Sequence, residues 1–223
     1  MKAIRIHETG GPEVMHLEEV EQPPPQAGEV LIQVAAAGIN YADLSQRKGT
    51  YLTRTHVPTT LGFEVAGTVV ALGAGVTTPE VGTRVAAIAN GGYAEYTTAA
   101  ASAVLPIPPS LDFSHAAAFP VQGITAYQLL HESGRLARGE SVLVHAAAGG
   151  VGTLAVQLAK LMGAGSVLGT ASNASKLDLA RRLGADVAIN YLAESHQSTI
   201  TDVASTLLEK ALDEYSAEKR SDH

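Results

Sequence analysis

The chain has 223 residues, 46% of them hydrophobic, enough for one large domain or two small ones around a buried core. A formal net charge of −7 with no basic cluster, and only 4% aromatic residues, weigh against nucleic acid, which needs cations for its phosphates and rings for its bases. Zero cysteines exclude disulfides and thiolate-bound zinc, no apolar run reaches the roughly 18 residues of a membrane span, and the opening MKAIRIHETGG lacks a secretory apolar region, so a cytoplasmic protein without membrane association is expected.

The first 120 residues predict a β-rich half. MKAIRIHE is a short alternating strand, and EVLIQVAAAGI (29–39) is a stronger one with Val30, Ile32 and Val34 on one face. FEVAGTVVALG (63–73) and TRVAAIA (83–89) follow, separated by turns rich in Gly and Pro, as in a barrel or sandwich. The segment 110–133 turns helical, and Pro120 divides it into two short helices. From Ser141 the rhythm becomes β-α-β-α-β. The strands are 141–147, 166–172 and 187–191. The first helix, 150–163, carries Val151, Leu154, Ala155, Leu158, Leu161 and Met162 on one stripe, and the second, 175–184, closes on Gly184. Strands alternating with helices of this length predict a parallel sheet.

VLVHAAAGGVG (142–152) supplies a strand, a small-residue turn and a helix start. In the dinucleotide fingerprint G-x-G-x-x-G its matching positions are Ala147, Gly149 and Gly152. Gly149, Gly150 and Val151 can bring backbone N–H groups to a pyrophosphate at the helix start, and Gly152 lets helix and strand pack closely. A close-packed turn with no ligand is the alternative. A carboxylate about 20 residues on would select NAD by binding the ribose hydroxyl. Here Ser172 stands there, no acid occurs from Ser166 to Lys176, and Lys176 adds a positive charge. These residues suit the 2′-phosphate of NADPH, unless Ser172 and Asn173 merely cap the helix. The Asn173-Ala174-Ser175 glycosylation pattern is read as accidental.

AAAGGVG with QLAK, GTAS, GAD and INY, preceded by AAAGINYADLSQRKGTY (35–51), LGFEVAGTVVALGAGV (61–76) and the run 91–127, resembles the quinone oxidoreductase (zeta-crystallin-like) branch of the medium-chain dehydrogenase/reductases. The resemblance covers about residues 1–191. It implies an α/β protein with a GroES-like barrel carrying the substrate pocket in residues 1–122, then a Rossmann domain from 123 to 223. Zinc-dependent relatives have His where this chain has Phe63, before Glu64. With no cysteine and no HExxH-like spacing among the eight histidines, the chain resembles a zinc-free member with no metal site. Matching positions imply Asn40 and Tyr51 near the nicotinamide, Thr125 against the cofactor, and Lys176 and Tyr191 around the 2′-phosphate. Asp43 falls in the same segment, where a helix cap is the simpler role, and a half-buried loop aromatic is the simpler role for Tyr51. The implied reaction is hydride transfer from NADPH to a quinone or an α,β-unsaturated carbonyl, with Tyr51 and Asn40 as hydrogen-bond donors to the acceptor oxygen. An enoyl reductase unit shares most of these motifs.

A full doubly wound domain has six strands in two halves, yet only 32 residues follow Tyr191. They contain no apolar β run, and 199–223 reads as one amphipathic helix with Val203, Leu207, Leu208 and Tyr215 on its apolar stripe. The Rossmann domain is thus expected to lack its second half, leaving an open strand edge that invites a homodimer. Two readings follow: a working NADPH-dependent reductase, or a relative without turnover that at most binds nucleotide.

Overall fold

The computed structural model describes residues 1–192, in two units that divide within one helix: Met1–Ile124, and Thr125 onward. The first unit follows from its apolar runs. Its elements are β1 (Lys2–Ile6), β2 (His16–Glu19), β3 (Glu29–Ala37), α1 (Tyr41–Lys48), β4 (Thr59–Thr60), β5 (Glu64–Leu72), β6 (Arg84–Ile88), β7 (Tyr96–Ala100), β8 (Val104–Pro106) and α2 (Phe113–Ala117). An antiparallel sheet runs β7-β3-β5-β6-β8, and a smaller one runs β2-β1-β4. Val30, Ile32, Val65, Val69 and Val85 meet in the core of the larger sheet with no exposed surface. Each such side chain contributes roughly 1.5–3 kcal/mol by leaving water. Four strands, β2, β4, β7 and β8, are absent from the sequence expectation; they are short, and HLEE, TT and YTTAA show no apolar alternation.

The helix α3 (Pro120–Tyr127) follows α2 after a two-residue break, so the division at Pro120 is as expected, and a π-helical turn Gln128–Ser133 continues it. The second unit then carries β9 (Ser141–Val144), α4 (Gly150–Leu161), β10 (Ser166–Ala171), α5 (Ala174–Arg182) and β11 (Val187–Asn190). Its strands are parallel in the order β11-β10-β9, the arrangement of one mononucleotide half. All six residues of β10 are buried, as a central parallel strand requires. Ala155, Val156 and Ala159 of α4 pack with Val144, Val167 and Ala180. Gly184 adopts φ +114 just past α5, where a side chain would be strained.

Two expectations need correction. The first parallel strand stops at Val144 instead of 147, because Ala146 turns the backbone to φ +51. Leu161 is 83% exposed and leaves the core stripe, which Leu154, Leu158 and Met162 keep. Its position near 80° from Val151 on the helical wheel puts it at the rim, given roughly 100° per residue. The amphipathic helix expected at 199–223 lies outside the described residues. Among those described, no helix is long and apolar enough to cross a membrane.

Candidate functional site

In the second unit the site begins where β9 ends. His145–Ala148 form the turn, tied to β10 by Ala147 N donating to Thr170 O (2.9 Å) and Ala146 N donating to Thr170 Oγ1 (3.3 Å). Gly149 N closes the turn on Ala146 O at 2.8 Å. Gly149 is then the N-cap of α4 and offers no side chain to the helix start. Thr153 N is the donor that returns to Gly149 O, so Gly150, Val151 and Gly152 carry the first-turn N–H groups, which have no acceptor within the helix. Gly149 and Gly150 are exposed and Gly152 is buried. A Cβ on Gly152 would overlap the carbonyl oxygen of Ala146 and sit 2.8 Å from Ala147 Cα. The third glycine of the fingerprint is therefore needed sterically. The first position tolerates Ala147, which is fully buried in the core.

The end of β10 gathers the residues expected around a 2′-phosphate. Asn173 is the N-cap of α5 and accepts from Lys176 N at 3.0 Å and Ser175 Oγ at 2.8 Å. Lys176 Nζ reaches Ser172 Oγ at 3.4 Å. Tyr191 N donates to Ala171 O at 3.2 Å, and the register Ala171↔Asn190 sets Tyr191 beside the same strand end. Ser172, Lys176 and Tyr191 thus share one end of the sheet. The nearby acids are engaged elsewhere: Asp178 accepts from Arg181 and Asp186 from Lys160 and Val167 N. Thr125, half-buried, precedes Ala126 of the same core as Ala147.

The first unit treats Asn40 and Tyr51 differently. Asn40 is buried at the N-cap of α1, where Asp43 Oδ2 accepts from Asn40 N at 2.7 Å. Asp43, at the third position of α1, thus completes the cap by accepting from the N-cap backbone, and the same oxygen accepts from Tyr93 OH at 2.9 Å. Asn40 Nδ2 donates to Glu64 Oε1 at 2.7 Å, and Val121 N donates to Glu64 Oε2 at 2.8 Å. Glu64 has no exposed surface. Burial is the chief cause that raises both carboxyls above their ordinary range; their hydrogen bonds pull the other way, and Asp43 adds repulsion at Glu64. Burial and then the charge of Asp43 also raise the Tyr93 phenol.

Tyr51 instead lines a cavity of about 440 Å³, with its ring centroid 5.5 Å from that of Phe63. Asn40 does not line this cavity. Glu64, Tyr93, Arg5, Arg54 and His56 had no place in the expected site. A carboxylate inside the apolar run FEVAGTVV is the one signal that could have exposed Glu64, since a buried charge needs partners.

Residues 26–109 match the family model for the alcohol dehydrogenase GroES-like domain, and residues 150–214 match that for a zinc-binding dehydrogenase. The quinone oxidoreductase of Rattus norvegicus is 41% identical over 194 residues, 86% of this chain and 59% of that protein. The quinone oxidoreductase of Escherichia coli, solved as a complex with NADPH, superposes with a TM-score of 0.85 at 35% identity, over 92% of this chain and 63% of that one. The chain belongs to the quinone oxidoreductase branch of the medium-chain dehydrogenase/reductases. Other members agree: that of Lama guanicoe is 40% identical over 96% of this chain and 64% of its own length. The Thermus thermophilus quinone oxidoreductase, also solved with NADPH, gives a TM-score of 0.76 at 42% identity, covering 86% of this chain and 60% of that one. As a family member the chain has a GroES-like first unit and part of a Rossmann domain second, and it spans about three fifths of the length of these curated relatives.

Proposed function

We propose that the chain is an oxidoreductase that uses NADPH to reduce a quinone or an α,β-unsaturated carbonyl, without zinc. Residues 1–122 form the acceptor-binding part and 123–223 the coenzyme-binding part. The observation that carries this reading is the glycine turn: a helix start with open N–H groups at Gly150, Val151 and Gly152, and no room for a Cβ at Gly152. Relatives solved as complexes with NADPH support the choice of coenzyme.

In this reading the N–H groups of residues 150–152 hold the diphosphate, with Gly149 leaving the approach clear. Ser172, Lys176 and Tyr191 bind around the 2′-phosphate, and Thr125 contacts the coenzyme. When bound, NADPH supplies the hydride. Tyr51 donates a hydrogen bond to the acceptor oxygen as negative charge grows there. Asn40 lies outside the cavity of Tyr51; held by Glu64 at the start of α1, it acts in this reading as a positioning residue. Zinc does not fit the donor set. The chain has no cysteine, Glu64 spends both oxygens on Asn40 and Val121, and no group of three potential metal ligands occurs among the described residues.

Fluorescence titration with NADPH and NADH, followed by oxidation assays with a quinone and an enone, tests the proposal; no saturable binding of either coenzyme would sink it. Saturable NADPH binding with no oxidation of it would support the second reading, binding without turnover. Two substitutions sharpen the test. Ser172→Asp, by setting a carboxylate against the 2′-phosphate, is expected to raise the NADPH dissociation constant about tenfold or more and leave that for NADH within a few-fold. An equal effect on both coenzymes removes Ser172 from the phosphate site. Tyr51→Phe is expected to lower kcat/KM on the order of a hundredfold, as loss of one donor to a growing oxyanion does. An unchanged kcat/KM would show that the hydroxyl has no such role.

A further inference from the structure

The cavity that holds Tyr51 is charged in one sense only. Arg5, Arg54 and His56 line it, and no Asp or Glu does, in a chain whose formal net charge is −7. The other two arginines of the first unit do not line the cavity. Arg84 donates to the carbonyl oxygens of Pro108, Pro109 and Leu111 and lies over the Phe113 ring, and Arg47 is buried. Arg54, by contrast, is exposed and makes no hydrogen bond or ion pair with a described residue. Arg5 has one distant partner, Glu18 at 3.9 Å, and the other oxygen of Glu18 is bound by His7 Nε2 at 2.7 Å.

The fold puts these cations beside the aromatic wall. The register Arg5↔Thr60 sets Arg5 next to the strand that leads to Phe63, and the segment 51–56 brings Tyr51, Arg54 and His56 to the same opening. One wall, Tyr51 and Phe63, offers ring surface to a planar acceptor, and guanidinium groups offer paired N–H donors whose geometry matches a carboxylate. A volume of about 440 Å³ suits a small molecule of one to three rings.

We infer that the acceptor bound in this cavity carries an anionic group, a carboxylate or comparable oxyanion, held by Arg54 with Arg5. The inference rests on the reading of this cavity as the acceptor site, and it adds the charge of the acceptor. His56 adds positive charge when protonated, but the two guanidiniums are charged at every working pH.

The probe pair is anthraquinone-2-carboxylate and anthraquinone-2-carboxamide, which share one ring system and differ in charge. Calorimetry on the whole chain at low salt is expected to show the carboxylate binding about tenfold tighter, the scale of one charge-assisted hydrogen bond. Arg54→Gln should remove most of that preference, Arg5→Gln a smaller part, and added salt should shrink it. The carboxamide affinity should fall less than the carboxylate affinity in both variants. Equal affinities in the unmodified chain, with the carboxamide still binding, overturn the anionic acceptor and leave the site reading standing. A preference that survives both substitutions overturns the assignment to Arg54 and Arg5. Binding of neither quinone overturns the site reading, and the inference with it.

Discussion

Gly152→Ala is expected to cost the chain both stability and coenzyme affinity. The new Cβ would overlap the Ala146 carbonyl oxygen and crowd Ala147 Cα, both backbone atoms that no side-chain rotation can move. Those atoms belong to a turn pinned to β10 through Thr170 and closed by Gly149 N on Ala146 O, so relief requires shifting the start of α4 away from β9. Overpacking of this kind costs roughly 1–3 kcal/mol. Displacing the helix start also moves the N–H groups of residues 150–152 from the diphosphate, which should raise the NADPH dissociation constant more than about tenfold, the effect of about 1.4 kcal/mol. Gly149→Ala separates the two effects. Gly149 sits at φ −85 and ψ 173, a conformation open to any L-residue, and its Cβ would meet one neighbour, Ala146 O at 3.2 Å. Chemical denaturation should find Gly149→Ala within about 1 kcal/mol of the parent, the usual size of a tolerated substitution. The NADPH titration should nevertheless weaken, because the methyl group stands where the diphosphate approaches. If Gly149→Ala binds NADPH as the parent does, close approach of the ligand to that glycine is refuted. If Gly152→Ala is as stable as the parent, the turn has slack that its geometry denies.

The parallel half was legible because each of its elements states its own period. SVLGTA is continuously apolar and becomes the buried middle strand; SKLDLARR shows one narrow apolar stripe and ends before Gly184, which takes a positive φ. The strand 141–147 was drawn too long because HAA has no turn signature. Only the fold forces Ala146, a residue that favours negative φ, into the left-handed region. In the first unit β3, β5 and β6 were legible from their valines and isoleucines. β2 and β7 were not: HLEE and YTTAA are strands because β1 and β3 lie beside them, through pairings of distant sequence that no local pattern records. The site divides in the same way. Residues 149–152 are adjacent in sequence and carry their own signature. Ser172 and Lys176 are four residues apart at the place the spacing from the glycines indicated; Tyr191 joins them through the β10–β11 register, which resemblance anticipated but spacing alone would not. The cavity around Tyr51 needs Arg5 from the first strand, Arg54 from a loop and Phe63 from before β5, a combination with no linear trace.

Glu64→Ala is expected to be the most damaging single change in the first unit. It would leave the buried Asn40 Nδ2 without its acceptor, take from the half-buried Val121 N the carboxylate it donates to, and open a cavity at a side chain with no exposed surface. An unsatisfied buried donor costs about 1–3 kcal/mol, so a total loss of about 2–5 kcal/mol should appear in denaturant unfolding. Glu64→Gln keeps the volume and one acceptor, and should lose less. The two carboxyls also set a pH dependence. Asp43 and Glu64 are raised from ordinary values of 3.8 and 4.5, so the folded chain holds their protons to higher pH than the unfolded chain does. Stability from that source is complete below the ordinary values and is lost as pH rises through the raised ones, because the native state binds more protons across that window. The unfolding free energy should therefore fall with pH from just below 4.5 upward. Glu64→Gln and Asp43→Asn, each removing one titrating group, should flatten that fall. A parent whose stability rises through this window while both variants follow it in parallel would show that neither carboxyl is held protonated by burial. The ties from Glu64 to Asn40 and Val121 would then act between an ionised carboxylate and its donors throughout.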